Sequence, residues 1–251
     1  MVTNIKSEKA ITNDYDKFGK LILEKVNSYI EGLDQIEFHK YLIDSFGDAT
    51  RKPNLPRQTW EESEEDIFYL DIYGHFREIK IALDNLDYIP VFIKKPFRKS
   101  KSYQSVRMTR ESYLRYHVEH YFVENDICKN RMIRFLNKLS EKLLEQDRKE
   151  GSELILQIKK LFLKLMEGLR ETRGSHIHEK RFDTEELSRL GIFELLSTYG
   201  QNEYYELGTN FLYRKAKKEW YERIINNNIK LNEYINIIFG KLIPVVFPSQ
   251  T

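Results

Sequence analysis

Residues 153–173, ELILQIKKLFLKLMEGLRETR, decide the fold class: Leu154, Ile158, Leu161, Phe162, Leu165, Met166 and Leu169 recur at the three- and four-residue steps of one helical face. No β-alternation competes with that pattern. Working outward, the chain holds 11 Gly and 6 Pro in 251 residues, so few breakers interrupt its apolar periodicity and long helices should dominate. Upstream, Arg110 to about Lys149 carries an apolar seam through Leu114, Val118, Tyr121, Asn125, Cys128, Met132, Phe135, Leu139 and Lys142 or Leu143, with Asn125 in need of a hydrogen-bond partner. Gly151 and Ser152 are read as closing that helix and capping the next.

Toward the N-terminus, Asn13 or Asp14 caps a helix through about Ile30, with Leu21, Ile22, Val26, Tyr29 and Leu33 on one side; a short helix over 34–46 follows. Two prolines make the stretch up to Gln58 a loop. Thr59 and Glu62 stand at capping-box spacing and open a helix expected to end near Tyr88, ahead of Pro90 and Pro96. Downstream, Asp183 and Glu186 form a second box before a helix ending at Gly200, and a final helix from Glu203 stops before Pro244. The fold expected is all-α, an antiparallel helical bundle with short connections, in which residues 1–57 are an N-terminal helical extension on a bundle over 58–251.

Composition narrows the function. A 41% hydrophobic, 32% charged chain is globular, and no run reaches the length of a membrane-spanning helix. The first residues lack a secretory signal, and a single cysteine permits no internal disulfide, so the cytoplasm is the expected compartment. Walker, dinucleotide-binding, Cys-x-x-Cys and His-Glu-x-x-His patterns are missing, and no histidine follows a glutamate at the di-iron spacing. His117, His120 and Glu124 share a helical face as one metal-binding alternative, against which stands that a single helix supplies them. Between Lys94 and Arg110 lie seven basic and no acidic residues, interleaved with Phe97 and Tyr103. Lys94, Lys95, Arg98, Lys99 and Lys101 are therefore candidates for contacting an RNA backbone, the bland reading being a solvated loop.

The decisive helix ends unusually. Phe162, Met166, Leu169 and Arg173 step by four, three and four, so an arginine continues an apolar stripe, where a guanidinium requires a carboxylate, a carbonyl or a phosphate. Gly174 permits a bend that brings Ser175, His176 and His178 back over it. Arg173-Gly-Ser-His-Ile-His178, at the end of a long helix of an all-helical chain, resembles the Arg-x4-6-His signature of the HEPN superfamily, and 178–197 resembles the continuation in uncharacterised bacterial members. The resemblance covers about Thr59 to Phe239 and implies a four-helix core with extra helices at both ends.

The resemblance further implies a metal-independent endoribonuclease, a toxin or defence component without cofactor, acting on RNA as a homodimer and held in check by a cognate antitoxin. Under it, His178 is the general acid or base, Arg173 stabilises the phosphorane, and His176 is a second proton carrier or orienting group. Ser175, Glu124, Asn125 and Glu119 are the supporting residues. Many catalytic members place Asn or another polar residue directly after the arginine, where this chain has Gly174. A non-catalytic nucleotide- or RNA-binding relative and a helical protein-interaction module are the alternatives.

Overall fold

The computed structural model describes residues 13–35, 62–97, 108–170, 184–200 and 203–248. Among these residues it is all-helical: α1 (Asp14–Gly32), α2 (Glu64–Lys94), α3 (Arg110–Glu145), α4 (Lys149–Arg170), α5 (Glu185–Gly200) and α6 (Glu203–Val246). No helix among them is long and apolar enough to cross a membrane. The short helix expected at 34–46 and the cap residues Thr59 and Asp183 lie outside the described residues or run into them.

Pairs of contacts running in opposite order define an antiparallel bundle. Glu78 meets Arg131 and Asn85 meets Glu124 between α2 and α3; Ser140 meets Ser152 and Asn137 meets Lys159 between α3 and α4. Helix α6, about 66 Å long at 1.5 Å per residue, runs parallel to α3 along the bundle, as Phe122–Trp220 and Phe135–Phe239 show. Thus α2, α3, α4 and α6 make a four-helix core, with α1 inserted at one end and α5 laid over the other. Every apolar seam residue expected on α3 is buried, and so are Ile22 and Val26 on α1. On α4 the buried face is Ser152, Ile155, Ile158, Phe162 and Met166. Leu154, expected inside, is exposed, because the helix turns its next residue, Ile155, into the core.

Several helix boundaries depart from expectation. The capping box of α2 is formed by Ser63 and Asp66, whereas Glu62 accepts from the Tyr29 hydroxyl at 3.0 Å, so the helix starts at Glu64. Both Thr59–Glu62 and Ser63–Asp66 have the right spacing; the tie to α1 commits Glu62 elsewhere. The Gln146–Arg148 turn, with Asp147 at φ 56°, separates α3 from α4, placing Gly151 and Ser152 inside the helix and not at its cap. Gly151 serves packing: a Cβ there would stand 3.4 Å from both Leu143 and Val245. Thr184, one residue after the expected Asp183, accepts from the Leu187 N–H at the start of α5.

The largest departure is that Pro90 and Pro244 lie inside helices. Proline has no N–H, so Pro90 leaves the Leu86 carbonyl without its intrahelical donor. Asn228 on α6, itself buried, supplies the missing bond: its Nδ2 donates to Leu86 O at 3.0 Å and to Asp87 Oδ1 at 3.3 Å. Burial pushes the Asp87 carboxyl up, and this amide contact opposes the shift. Asn228→Ala orphans a buried carbonyl and is expected to cost about 2 kcal/mol in urea denaturation, partly recovered by adding Pro90→Ala, which restores the helix's own N–H. A loss unchanged by the second substitution would refute this role.

Candidate functional site

Arg173, Ser175, His176 and His178, together with Arg98, Lys99 and Lys101, lie outside the described residues. The frame around the Arg–His motif is described. The antiparallel register set by Asn137–Lys159, carried to the end of α4, brings Arg170 to the level of Asp126. Helix α5 begins on the same part of the bundle: Gly191 lies against Glu111, and Arg223, one turn past Trp220 where α6 meets Phe122 of α3, pairs with Glu186 at 3.9 Å. Helix α4 therefore ends, and helix α5 begins, near one level of the bundle.

Which α3 side chains turn toward α4 follows from helical stepping. Ser140 touches Ser152 of α4 at 2.7 Å, and Ile133, Asp126 and Glu119 repeat its position at successive sevens. Glu119 and Asp126 thus stand on the α4 flank. Glu124 and Asn125 do not share it. The buried Glu124 accepts from Asn85 of α2 at 3.2 Å and lies 3.8 Å from His120, while Asn125 donates to the Tyr121 carbonyl one turn back, the partner its place in the seam demanded. Asp126 was missed in the sequence because choosing among carboxylates on α3 requires knowing which neighbour each side faces; the heptad step from Ser140 is the signal that finds it.

The outer surface between α2 and α3 is aromatic. Phe92 stacks on His117 with centroids 5.7 Å apart, Tyr116 stacks on His120 at 6.1 Å, and Tyr113 meets His117 edge-on at 4.6 Å. Phe92 and Tyr116 remain exposed. The stacking aims His117 at rings, and no group of three His, Cys, Asp or Glu able to hold a metal occurs among the described residues. At the rim, Lys95 Nζ lies 5.1 Å from the Phe92 centroid, whereas Lys94 Nζ is turned to α6, 5.9 Å from the centroid of Tyr221. Lys217 donates to the Lys95 carbonyl at 2.9 Å, a cation at the C-terminal end of α2 where the helix dipole favours it. Burial lowers the Lys217 pKa. Arg110, the last residue of the basic stretch, is instead committed internally to Glu206 at 2.7 Å and Glu194 at 3.8 Å.

Burial among these rings, and secondarily the charge of His120, pulls the His117 pKa down to about 4 from an ordinary 6.5. Between those values the unfolded chain binds a proton that the native state refuses, so this histidine's contribution is full above pH 6.5 and is lost as pH falls toward 4. His117→Phe, which keeps the stack on Phe92, is expected to flatten the fall in melting temperature over that window; an unaltered profile would show that His117 does not couple to folding.

No family model matches the chain, and neither a curated protein nor a solved structure matches it. The functional reading therefore rests on the residues and their placement.

Proposed function

We propose that this chain is a metal-independent endoribonuclease of HEPN type. The observation that carries the reading is the position of the motif. In sequence it follows the buried Phe162–Met166 stripe of α4, and by the α3–α4 register α4 ends at the level of Asp126, near where Glu186 at the start of α5 pairs with Arg223 of α6. A guanidinium that continues an apolar stripe requires a carboxylate, a carbonyl or a phosphate, and Asp126 is a carboxylate at the level where α4 ends. Cleavage then proceeds by attack of a ribose 2′-oxygen on the adjacent phosphorus. His178 accepts the 2′-hydroxyl proton, Arg173 stabilises the charge on the phosphorane, and the P–O5′ bond breaks to leave a 2′,3′-cyclic phosphate. A second imidazole, from His176 or from the motif of a second copy, returns a proton to the departing 5′-oxygen. Imidazole suits both steps because its ordinary pKa lies near neutrality.

The exposed Phe92 and Tyr116 rings and the Lys95 ammonium at the rim of Phe92, with Lys94 turned toward Tyr221 of α6, are the features expected of a single-stranded RNA path, with stacking for bases and cations for phosphates. A toxin or defence role checked by an antitoxin is part of the same proposal. The test is incubation of purified protein with RNA in excess chelator. Cyclic-phosphate ends are expected, and an oligonucleotide carrying a 2′-deoxyribose at the scissile position should survive. Cleavage of the deoxy substrate, or cleavage that requires added metal, would refute the mechanism. Gly174, where a polar residue is common in catalytic members, favours the second reading, a phosphate-binding protein without turnover; RNA binding with no cleavage would select it.

A further inference from the structure

Away from the motif, the α5–α6 hairpin turns an apolar face to water. Ile192, Leu195 and Tyr199 on α5 and Tyr204, Leu207 and Phe211 on α6 are between 57% and 80% exposed. Each set steps by three and four, so it forms one stripe along its helix. Both stripes lie opposite their helix's buried positions: Leu187 and Leu190 on α5, Thr209, Tyr213 and Ala216 on α6. The two stripes therefore form one layer facing away from the core.

The layer is held firmly. Glu194 of α5 accepts from the backbone N–H groups of Arg110 and Glu111 at 2.7 and 2.9 Å, capping α3 from another element, and Glu206 of α6 pairs with the Arg110 guanidinium. Within the hairpin, Gly208 admits the Phe193 ring so closely that a Cβ there would come within 2.7 Å of it. Six large apolar side chains on such a fixed support leave on the order of 800 Å² in water, beyond the patch sizes common on monomers.

We propose that this face is a homodimer interface, on which the α5–α6 hairpin of a second copy docks across a twofold axis to form a four-helix layer. Three observations select a second copy. The area matches what one partner contributes to a standard interface, roughly 800 Å². Across a twofold, residues near the axis meet their own copies, so charge there would repel itself, and no charged side chain stands between the apolar positions of either stripe at 192, 195 and 199 or 204, 207 and 211 on the outward face. Charges bound the stripes at their ends: Arg189 pairs with Glu185 and Lys215 with Glu219, while Glu203 adjoins Tyr204 and the exposed Arg214 stands one turn past Phe211. Finally, a lone partner helix would fill the groove between α5 and α6 yet leave the outer flanks of both stripes wet, whereas a second two-helix layer covers both at ordinary interhelical distances.

The inference does not rest on the ribonuclease reading, because association is measured without RNA. Sedimentation velocity of the full chain over a concentration series should show a dimer. Leu195→Glu and Leu207→Glu should each raise the dissociation constant at least roughly thirtyfold, as expected for apolar positions central to an interface. Val123→Glu, at an exposed apolar site on α3, should leave it unchanged. The substituted side chains are exposed, so circular dichroism should report unaltered helix content. As a measurement on the unmodified protein, amide exchange in α5 and in the first half of α6 should slow as concentration rises. A chain that stays monomeric up to about 100 μM overturns the proposal, since an interface of this size should associate there. So does a dimer that persists in both glutamate variants, or exchange protection confined to other helices.

Discussion

Phe18→Ala is expected to remove about 3–5 kcal/mol of stability, the largest loss from any single side chain of α1. Phe18 has no exposed surface, and its ring stands 5.5 Å from Phe76 of α2, 6.1 Å from Phe135 of α3, 4.9 Å from Phe239 of α6 and 5.3 Å from Phe247 just beyond it. One truncation therefore opens a cavity where four segments meet and deletes several edge-to-face ring contacts at once. Helix α1 holds few other anchors, chiefly Ile22 and Val26, with the Tyr15 ring against Phe76 and Phe239. Set against a total of about 5–15 kcal/mol for a typical domain, the loss should bring urea unfolding close to native conditions. It also tests how the N-terminal helix belongs to the bundle: a loss below about 1 kcal/mol would mean that α1 is a detachable addition, contrary to its place in the shared core.

His178→Ala is expected to lower RNA cleavage by roughly 10²–10⁴-fold, the range for losing a positioned general acid or base. Arg173→Ala should cost about 10²–10³-fold through lost stabilisation of the pentavalent phosphorus. Arg173→Lys should not restore the rate, since an ammonium cannot present two parallel N–H donors to one phosphate. Binding of an uncleavable 2′-deoxy oligonucleotide separates the roles: His178→Ala should retain it, and Arg173→Ala should weaken it. Full cleavage in both alanine variants would end the proposed mechanism. Equal loss of cleavage and of thermal stability in both would instead assign the two residues to packing.

Much of the architecture was legible because helix formation on this chain is governed by local rules. The α3 seam from Leu114 to Leu143 and the Phe162–Met166 stripe of α4 follow from a 3.6-residue period that any apolar helix must obey to bury one side. Asn13 at the head of α1 is a cap readable from its own neighbours, its side chain accepting from the Tyr15 N–H. The α5–α6 hairpin was less legible. Leu187 and Leu190 lie inward while Ile192 and Leu195 lie outward, so apolar residues occupy both sides and periodicity has no single face to choose.

What the sequence by itself determined is the existence of the six described helices and, for the strongly amphipathic ones, the side each buries, since both depend on residues within a few turns of one another. Only the tertiary structure decided that α2 runs through Pro90, because the amide that satisfies Leu86 comes from Asn228, far along the chain. It likewise decided that Glu124 faces Asn85 while Glu119 and Asp126 stand on the α4 flank, because all three carboxylates lie on one helix and only the neighbours packed around it distinguish them. Hydrogen bonds and ion pairs between distant segments are properties of the assembled bundle, and no local propensity encodes them.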